Sequence, residues 1–268
     1  MTPKPTRPAN PRRQPQGKSE PKLHTTTLWH HPTQQYGDKR MGNPAYVGRT
    51  PVHVIHNLLA RYTREDDLVV DPFCGGGTTL DVAHDLGRKA IGFDVAPSRQ
   101  DIEKADARDL PLSDGVADFV FMDPPYSTHI KYSGDEACIG ELDAFDTRYF
   151  EAMAEVFGEV HRILRDRRYL AVYVSDTFKN KKGFVPIGTH FMVMLAELFV
   201  PVDHICVVRG NKKLEDARFH KAALEENFYL RGFNHLLIFK KEEGSDPDVR
   251  SSGEEGRLKG GKKRRPKR

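Results

Sequence analysis

Short apolar runs alternate with amphipathic stretches along the middle of the chain, and this alternation predicts strands connected by helices. The apolar runs that indicate buried strands occupy residues 68–70, 89–93, 116–122, 169–174, 202–208 and 229–239. Apolar residues at helical spacing occupy residues 52–62, 78–86, 149–164 and 190–199, and a short helix is expected at 101–104. Strands that alternate with helices form a mostly parallel sheet covered on both faces. The pattern therefore predicts a doubly wound α/β fold.

The first predicted strand runs into Asp71-Pro-Phe-Cys-Gly-Gly-Gly-Thr-Thr79, which opens the next helix. Glycines there allow a tight turn and close approach to a ligand, and a helix N-terminus offers free N–H groups. The loop lacks the Gly-Lys-Ser/Thr ending of triphosphate-binding loops, and Leu80 replaces the third glycine of the dinucleotide motif. A nucleotide-like ligand that carries a carboxylate therefore suits the loop better than a triphosphate does.

Acidic residues follow the neighbouring strands. Asp94 ends the next strand, about 20 residues after the glycine loop, where an acid can accept hydrogen bonds from both ribose hydroxyls. A solvated strand-end aspartate is the alternative, and the preceding glycine loop favours the ribose. The polar turn Asp106-Ala-Arg-Asp109 precedes the following strand, and Asp106 can accept a hydrogen bond from an adenine amine.

The most specific motif is Asp123-Pro124-Pro125-Tyr126, which closes the buried run 117–122. The carboxylate can accept a hydrogen bond from an amine, the Pro124 carbonyl can accept a second, and the tyrosine offers a flat face for stacking. These groups suit a planar ring that bears an NH2 group. A simple turn is the alternative, since proline and aspartate are frequent in turns. The glycine loop and Asp94 at neighbouring strand ends argue against it, because α/β sheets bind ligands at that edge.

Charge is distributed unevenly over the 268 residues, of which 38% are hydrophobic and 30% charged. Residues 1–22 hold six Lys or Arg against one Glu, residues 241–268 hold ten against six acids, and the middle of the chain is acidic. We expect a disordered basic tail at 1–22, a single domain at 23–241 and a second basic tail at 242–268. Basic tails raise the affinity for polyanions, but they also serve solubility, so they do not by themselves indicate nucleic-acid binding.

Several classes of protein do not fit the sequence. No segment approaches the ~20 apolar residues of a membrane span, and the N-terminal stretch has no apolar signal core, so we expect an intracellular, cytoplasmic protein. The three cysteines, Cys74, Cys138 and Cys206, lie far apart, which favours neither a zinc ribbon nor a disulfide framework. We expect no metal centre and interpret Cys74 as a small filler.

Together, strand–D-P-F-x-G-x-G-T-T–helix, an acid ending the next strand, D-A-R-x-L-P and D-P-P-Y resemble the S-adenosylmethionine-dependent amino-methyltransferases, over roughly residues 45–240. These enzymes methylate N6 of adenine or N4 of cytosine in DNA. The resemblance implies a Rossmann-like, seven-stranded methyltransferase sheet with a C-terminal antiparallel strand. It implies Asp123, Pro124, Pro125 and Tyr126 as catalytic residues. It implies that S-adenosylmethionine is bound by Thr50, Pro51, Asp71, Phe73, Gly75, Gly77, Thr78, Thr79, Asp94 and Asp106.

Two segments upstream of the glycine loop resemble the family less closely. Thr50-Pro51 stands where the family carries a lysine-proline pair that starts a cofactor-binding helix, and we expect Thr50 to cap that helix with Pro51 as its first residue. His31-Pro-Thr-Gln34 is similar to the family's H-P-T-Q but lies too far upstream to match it. At the other end, residues 233–241 resemble the family's closing strand.

The resemblance makes DNA the expected partner and N6 of adenine the first expected target, in a restriction-modification setting. N4 of cytosine, N2 of guanine in RNA, and a non-enzymatic subunit that binds nucleic acid remain the alternatives. Candidate phosphate contacts are Lys131, Arg209, Lys212, Lys213, Arg218 and Lys221. Two segments, 127–145 and 209–227, flank the predicted site, and neither is long enough for a large recognition domain. We therefore expect a short recognition site, a partner protein or a homodimer.

Overall fold

An eight-stranded sheet forms the centre of the computed structural model, which describes residues 21–31, 34–36, 40–126, 134–135, 137–179, 181–210 and 214–242. The strands of this sheet are β1 (Leu28–Trp29), β2 (Leu68–Asp71), β3 (Lys89–Asp94), β4 (Ile102–Lys104), β5 (Ala117–Met122), β6 (Leu164–Val174), β9 (Val200–Val208) and β10 (Phe233–Lys240). A separate antiparallel hairpin consists of β7 (Thr177–Lys179) and β8 (Gly183–Val185). The helices are α1 (Val52–Tyr62), α2 (Thr78–Asp85), α3 (Thr147–Ile163), α4 (Ile187–Leu198) and α5 (Ala217–Glu225), and a short 3-10 helix covers Ile139–Glu141.

The strand order is β1-β9-β10-β6-β5-β2-β3-β4. β10 lies between β9 and β6 and is antiparallel to both, whereas the other neighbouring pairs are parallel. The carboxyl ends of β2, β3, β5, β6 and β9 consequently meet at one edge of the sheet, where the amino end of β10 also lies. This edge is where a doubly wound sheet binds its ligands.

The core has two layers because successive side chains of each strand point to opposite faces of the sheet. In β5, Val120 and Met122 pack with α3 and α4, while Phe119 and Phe121 pack with α1 and α2. All six residues of β5 are buried, which is typical of a central parallel strand covered by helices on both faces. The α/β, doubly wound prediction is confirmed.

The six strands that the apolar pattern predicts are present, including the antiparallel C-terminal strand, and β4 completes the seven that the resemblance implies. Leu28–Trp29 adds an eighth strand at the edge, in a stretch where the apolar pattern predicts no strand. The prediction of a helix at 101–104 is wrong: residues Ile102–Lys104 pair with β3 as β4. A three-residue segment is too short to display a period of either kind, and its edge pairing is a long-range contact.

The start of α1 also differs from the prediction. Pro51 occupies the N-cap position and Val52 is the first helical residue, and no side chain caps the helix. The backbone N–H of Val52 instead donates to the carbonyl oxygen of Gln34 at 3.0 Å. Thr50 is therefore not an N-cap, because its hydroxyl donates instead to the Asp123 side chain, just beyond the end of β5.

The predicted tails lie outside the described residues, apart from the few positions at their inner ends. Residues 127–133 and 136, which follow the Asp-Pro-Pro-Tyr turn, lie outside as well. Within the ranges that the structure covers, none of the helices has the length and apolar character needed to cross a membrane.

Candidate active site

A pocket of about 940 Å³, counting the space at its open mouth, lies at the carboxyl edge of the sheet. Its wall combines the glycine loop, the ends of β3 and β5, and two segments that precede α1 and α3. Most of the predicted site residues line it: Thr50, Asp71, Phe73, Gly75, Thr78, Thr79, Asp94, Asp106, Asp123, Pro124, Pro125 and Tyr126. Motifs more than 70 residues apart in sequence thus share one cavity. Pro51 and Gly77 are not part of that wall.

The two outer glycines of the loop have left-handed backbones, with φ of 47° at Gly75 and 76° at Gly77. A Cβ atom on Gly75 would lie 2.8 Å from the Tyr46 ring, so the absence of a side chain is needed for this close approach. Gly77 is the N-cap of α2, and a Cβ atom there would lie 2.5 Å from the Arg99 guanidinium. Gly75 therefore shapes the pocket, whereas Gly77 shapes the start of the helix.

Asp71 holds the loop in its turn. Its side chain accepts hydrogen bonds from the Thr79 hydroxyl at 2.5 Å and from the backbone N–H of Phe73 at 3.0 Å. Only 3% of the residue is exposed. Burial raises the pKa of Asp71 to about 7, although both hydrogen bonds oppose the shift. Asp71 therefore stabilises the turn of the glycine loop and also lines the pocket.

Asp94 and Asp106 present carboxylates with different surroundings. Asp94 accepts one backbone N–H from Gly75 and one from Ala96, each at 2.9 Å, so each oxygen can still accept a further hydrogen bond. Burial raises the pKa of Asp94. Burial acts in the same direction on Asp106, but the guanidinium of Arg108, 2.6 Å from it, brings the pKa of Asp106 below its ordinary value. Asp106 therefore already has a cationic partner, whereas Asp94 has none among the described residues.

Two acceptors of the Asp-Pro-Pro-Tyr turn, which follows β5, have no donor among the described residues. The Pro125 carbonyl accepts a hydrogen bond from the Tyr149 hydroxyl of α3 at 2.9 Å, which fixes the turn. Among the described residues, no donor contacts the Pro124 carbonyl oxygen. One oxygen of Asp123, Oδ2, accepts a hydrogen bond from the Thr50 hydroxyl. The turn thus offers the Pro124 carbonyl and the second Asp123 oxygen to a ligand.

The environment of Asp123 opposes its ionisation. Burial raises the pKa of Asp123 to about 7, and the nearby Asp71 carboxylate acts in the same direction. The Thr50 hydroxyl and the charge of Arg209 oppose that rise. Such a carboxyl changes its protonation state near neutral pH, as groups in active sites often do.

Arg209 follows β9, and its charge acts on both Asp123 and Tyr126. The sequence predicted Arg209 only as a phosphate contact. Its guanidinium donates to the Ser175 hydroxyl at 3.1 Å, just beyond the end of β6. Burial raises the pKa of Tyr126, and a hydrogen bond to Arg209 partly offsets that rise. Arg209 therefore connects the end of β6 to the Tyr126 hydroxyl of the motif.

Residues 40–49 form a part of the pocket that the motifs did not indicate. The backbone N–H of Asn43 donates to the Gly76 carbonyl at 2.7 Å, and that of Gly42 donates to Asp81 at 2.7 Å. These bonds hold Tyr46 over the glycine loop, where burial and the surrounding carboxylates raise the pKa of its hydroxyl. The contacts are long-range, so only the glycine-rich, aromatic character of the segment could have indicated them.

The hydrogen bond between Gln34 and Val52 joins the end of the H-P-T-Q segment to α1. Gln34 ends that segment and contacts the first residue of α1, although the two are 18 positions apart in sequence. The last residue of the segment therefore lies beside the start of α1, while Pro32 and Thr33 lie outside the described residues.

The remaining phosphate candidates are less informative. Arg218 pairs with Asp216 at 2.7 Å, and Lys221 lies 3.7 Å from Glu225, so both are engaged on the exposed helix α5. Lys131, Lys212 and Lys213 lie outside the described residues. Within the residues the structure covers, no cluster of three or more histidine, cysteine or acidic side chains could hold a metal.

The pocket's chemistry suits a cationic nucleoside. Four acidic side chains and one arginine, Arg49, line it, and Arg108 neutralises one of the acids, so the wall favours a positively charged ligand over a phosphate. The glycine loop allows close approach, Asp94 keeps acceptors for hydroxyl groups, and Phe73 offers an apolar surface. S-adenosylmethionine carries a sulfonium cation, an amine, a ribose and an adenine, so the residues present fit it.

The comparison with known proteins gives matches to DNA methyltransferases. A family model for DNA methylases (N6_N4_Mtase) matches residues 3–105, which include the glycine loop and Asp94 but end before Asp123. The type II methyltransferase M.HindIII of Haemophilus influenzae is 36% identical over 66 residues, which are 22% of this chain and 21% of that protein. The type II methyltransferase M1.MboII of Moraxella bovis is 34% identical over 71 residues, or 25% and 27% of the two chains.

Among solved structures, a SAM-dependent methyltransferase from Methanosarcina mazei is 14% identical, with 69% of this chain and 97% of that chain covered and a TM-score of 0.44. The matches to the two type II methyltransferases span only 21% and 27% of those relatives' own length. The family match supports S-adenosylmethionine as the cofactor. The match to the DNA methylase family, together with the two relatives, confirms the resemblance to DNA amino-methyltransferases that the motifs of this chain indicate.

Proposed function

We propose that the chain transfers a methyl group from S-adenosylmethionine to the exocyclic amine of a base in DNA, with N6 of adenine as the first expected target. One observation carries the proposal: the glycine loop and Asp94 share a single pocket with the Asp123-Pro124-Pro125-Tyr126 turn. A site for a nucleoside cofactor and acceptors for an amine thus lie within reach of each other. Such proximity can supply much of the rate of a two-substrate reaction.

The target end of the pocket would hold the amine. The lone pair of an exocyclic amine is delocalised into its ring, which makes the nitrogen a weak nucleophile. Oδ1 of Asp123 and the Pro124 carbonyl oxygen are available acceptors, and hydrogen bonds to both would localise that lone pair on nitrogen. Tyr126 would stack on the base, which must leave the duplex to enter such a pocket.

The cofactor end would hold the methyl donor. S-adenosylmethionine supplies an electrophilic methyl group on a sulfonium sulfur. Asp94 would accept the ribose hydroxyls, while Asp106 and Phe73 would contact the adenine. The glycine loop, with Thr78 and Thr79 behind it, would hold the methionine part. The protein's contribution would be orientation and placed charges rather than a strong base.

The target base and the biological setting are the finer part of the proposal. The names of the two relatives describe type II methyltransferases, which supports a modification enzyme that acts at a specific DNA sequence. The same four residues can hold the amine of adenine or of cytosine. N4 of cytosine is therefore the closest alternative, and N2 of guanine in RNA is the next.

Transfer of labelled methyl groups tests the proposal. The full chain is incubated with methyl-labelled S-adenosylmethionine and, separately, with double-stranded DNA of mixed sequence or with total RNA. Digestion to nucleosides and mass spectrometry then identify the product. We expect N6-methyladenine in DNA. N4-methylcytosine would change the target, N2-methylguanine in RNA would change the substrate class, and no transfer to either nucleic acid would reject the methyltransferase activity.

A further inference from the structure

Thr50 makes a contact that neither the motif comparison nor the helix prediction assigns. Its hydroxyl donates a hydrogen bond to Oδ2 of Asp123, across 73 positions of sequence. Thr50 is only 8% exposed, so water does not readily replace this bond. Within the described part of the chain, no donor contacts Oδ1 of the same carboxylate. The two oxygens of Asp123 are therefore unequal: Oδ2 is held by Thr50, whereas Oδ1 has no donor among the described residues and belongs to a side chain that lines the pocket.

The position of Thr50 is itself fixed from both sides. Thr50 comes two residues before Val52, which is anchored by the Gln34 carbonyl at the start of α1. On the preceding side, the guanidinium of Arg49 lies 3.4 Å from the Met41 carbonyl oxygen. The hydroxyl is thus presented to β5 by an ordered stretch of backbone, so the bond to Asp123 belongs to the framework of the pocket.

The charges around Asp123 make this bond consequential. The titratable groups that face the carboxylate from the neighbouring elements are Asp71, Tyr46, Tyr126, Tyr173 and Arg209. Asp71 opposes the ionisation of Asp123, whereas Arg209 favours it. The three tyrosines lie near Asp123 as well, and burial raises the pKa of each of them, which keeps them neutral at physiological pH. Thr50 is therefore the described side chain that stabilises the ionised form by a direct hydrogen bond.

We propose that Thr50 is a positioning residue for methyl transfer: its hydroxyl holds Oδ2 of Asp123, so that Oδ1 can accept a hydrogen bond from the amine of the target base. The inference rests on the proposed function. It gives Thr50 a role in holding the target amine, which is the nucleophile, through Asp123. The resemblance to the family, in contrast, implies a role for this position in binding the cofactor.

Two substitutions separate the hydroxyl from the shape of the side chain. Thr50→Val keeps the branched side chain and removes the donor, whereas Thr50→Ser keeps the donor. A hydrogen bond to a charged group is worth about 1.5–3 kcal/mol, which corresponds to about a ten- to hundred-fold effect and to about one to two pKa units. For Thr50→Val we expect a fall of that size in kcat at pH 7. We also expect the acid limb of the pH profile to move upward by one to two units, with KM for S-adenosylmethionine within about twofold of the wild-type value.

A carboxyl titration gives a readout that needs no turnover. The ¹³C resonance of the Asp123 carboxyl is identified by its loss in Asp123→Asn. It is then followed against pH in the wild-type protein, Thr50→Val and Thr50→Ser, without nucleic acid. We expect a higher pKa of Asp123 in Thr50→Val than in the wild-type protein, and a value close to that of the wild type in Thr50→Ser, together with recovery of most of the activity.

The outcomes distinguish this inference from the proposed function. A wild-type pH profile and an unmoved Asp123 titration in Thr50→Val would overturn the positioning role while leaving the methyltransferase assignment intact. An equal loss at every pH, accompanied by a tenfold rise in KM for S-adenosylmethionine, would assign Thr50 to the cofactor instead. Absence of methyl transfer by the wild-type protein would overturn the proposed function, and this inference with it.

Discussion

Replacing Asp94 with alanine tests whether the glycine loop and the end of β3 bind a ribose. Asp94 accepts backbone N–H groups from Gly75 and Ala96, each at 2.9 Å. Each carboxylate oxygen can accept a further hydrogen bond, which leaves one acceptor for each ribose hydroxyl. The substitution would remove both acceptors and the negative charge without adding bulk.

The expected loss follows from these two hydrogen bonds. A hydrogen bond to a charged group contributes about 1.5–3 kcal/mol, and a factor of ten in affinity corresponds to about 1.4 kcal/mol. Two such bonds correspond to a loss of about two to four orders of magnitude. Gly75 also loses its acceptor, which loosens the loop, so we expect the affinity of Asp94→Ala for S-adenosylmethionine to fall at least about 100-fold.

Isothermal titration calorimetry with S-adenosylmethionine at pH 8 measures this loss, and circular dichroism checks the fold of each variant. Asp114→Ala is a matched control, because it removes one carboxylate that is 82% exposed and pairs with Arg162 away from the pocket. We expect its affinity to stay within about twofold of the wild type. An affinity of folded Asp94→Ala within threefold of the wild-type value would refute the ribose assignment.

Three further substitutions test other parts of the structure. Gly75→Ala should weaken S-adenosylmethionine binding at least tenfold, because the left-handed backbone and the ring 2.8 Å from the new Cβ atom both disfavour it; unchanged affinity in calorimetry would contradict the loop geometry. Burial raises the pKa of Asp71 from 3.8 to about 7, so the free energy of unfolding of the wild-type protein should fall as pH rises between those values. Urea unfolding of Asp71→Asn should show a smaller fall over the same range; an equal fall in both proteins would contradict the raised pKa. Gly188→Ala would bring a Cβ atom within 2.4 Å of the His235 ring and should lower Tm by several degrees, whereas Gly158→Ala, with open space around it, should not; equal Tm values would show that the ring moves freely.

The local features of the site could be predicted from the sequence. The run from Leu68 to Thr79 gives a strand, a glycine turn and a helix in the order expected, because apolar spacing and turn residues act over a few positions. The grouping of Asp71, Asp94 and Asp123 could also be predicted, since parallel strands direct their carboxyl ends to one edge. These predictions needed only the alternation of elements and one topological rule.

The contacts that complete the pocket could not be predicted in the same way. Tyr46 packs over Gly75, and Thr50 bonds Asp123, through a segment whose course depends on bonds to Gly76 and Asp81 rather than on its own periodicity. The N-cap prediction for Thr50 failed for this reason: the hydroxyl has a stronger acceptor in a buried carboxylate than in the backbone of α1. Long-range pairing of this kind leaves no local signal in a single sequence.

In the proposed reaction, the Asp-Pro-Pro-Tyr turn holds the amine that receives the methyl group, while the neighbouring glycine loop holds the donor. The most direct test compares wild-type protein with Asp123→Ala in two assays: transfer of labelled methyl groups to DNA, and calorimetric binding of S-adenosylmethionine. We expect Asp123→Ala to bind the cofactor within a few-fold of the wild-type affinity but to methylate no base. Near-normal turnover by that variant would show that the turn does not hold the amine.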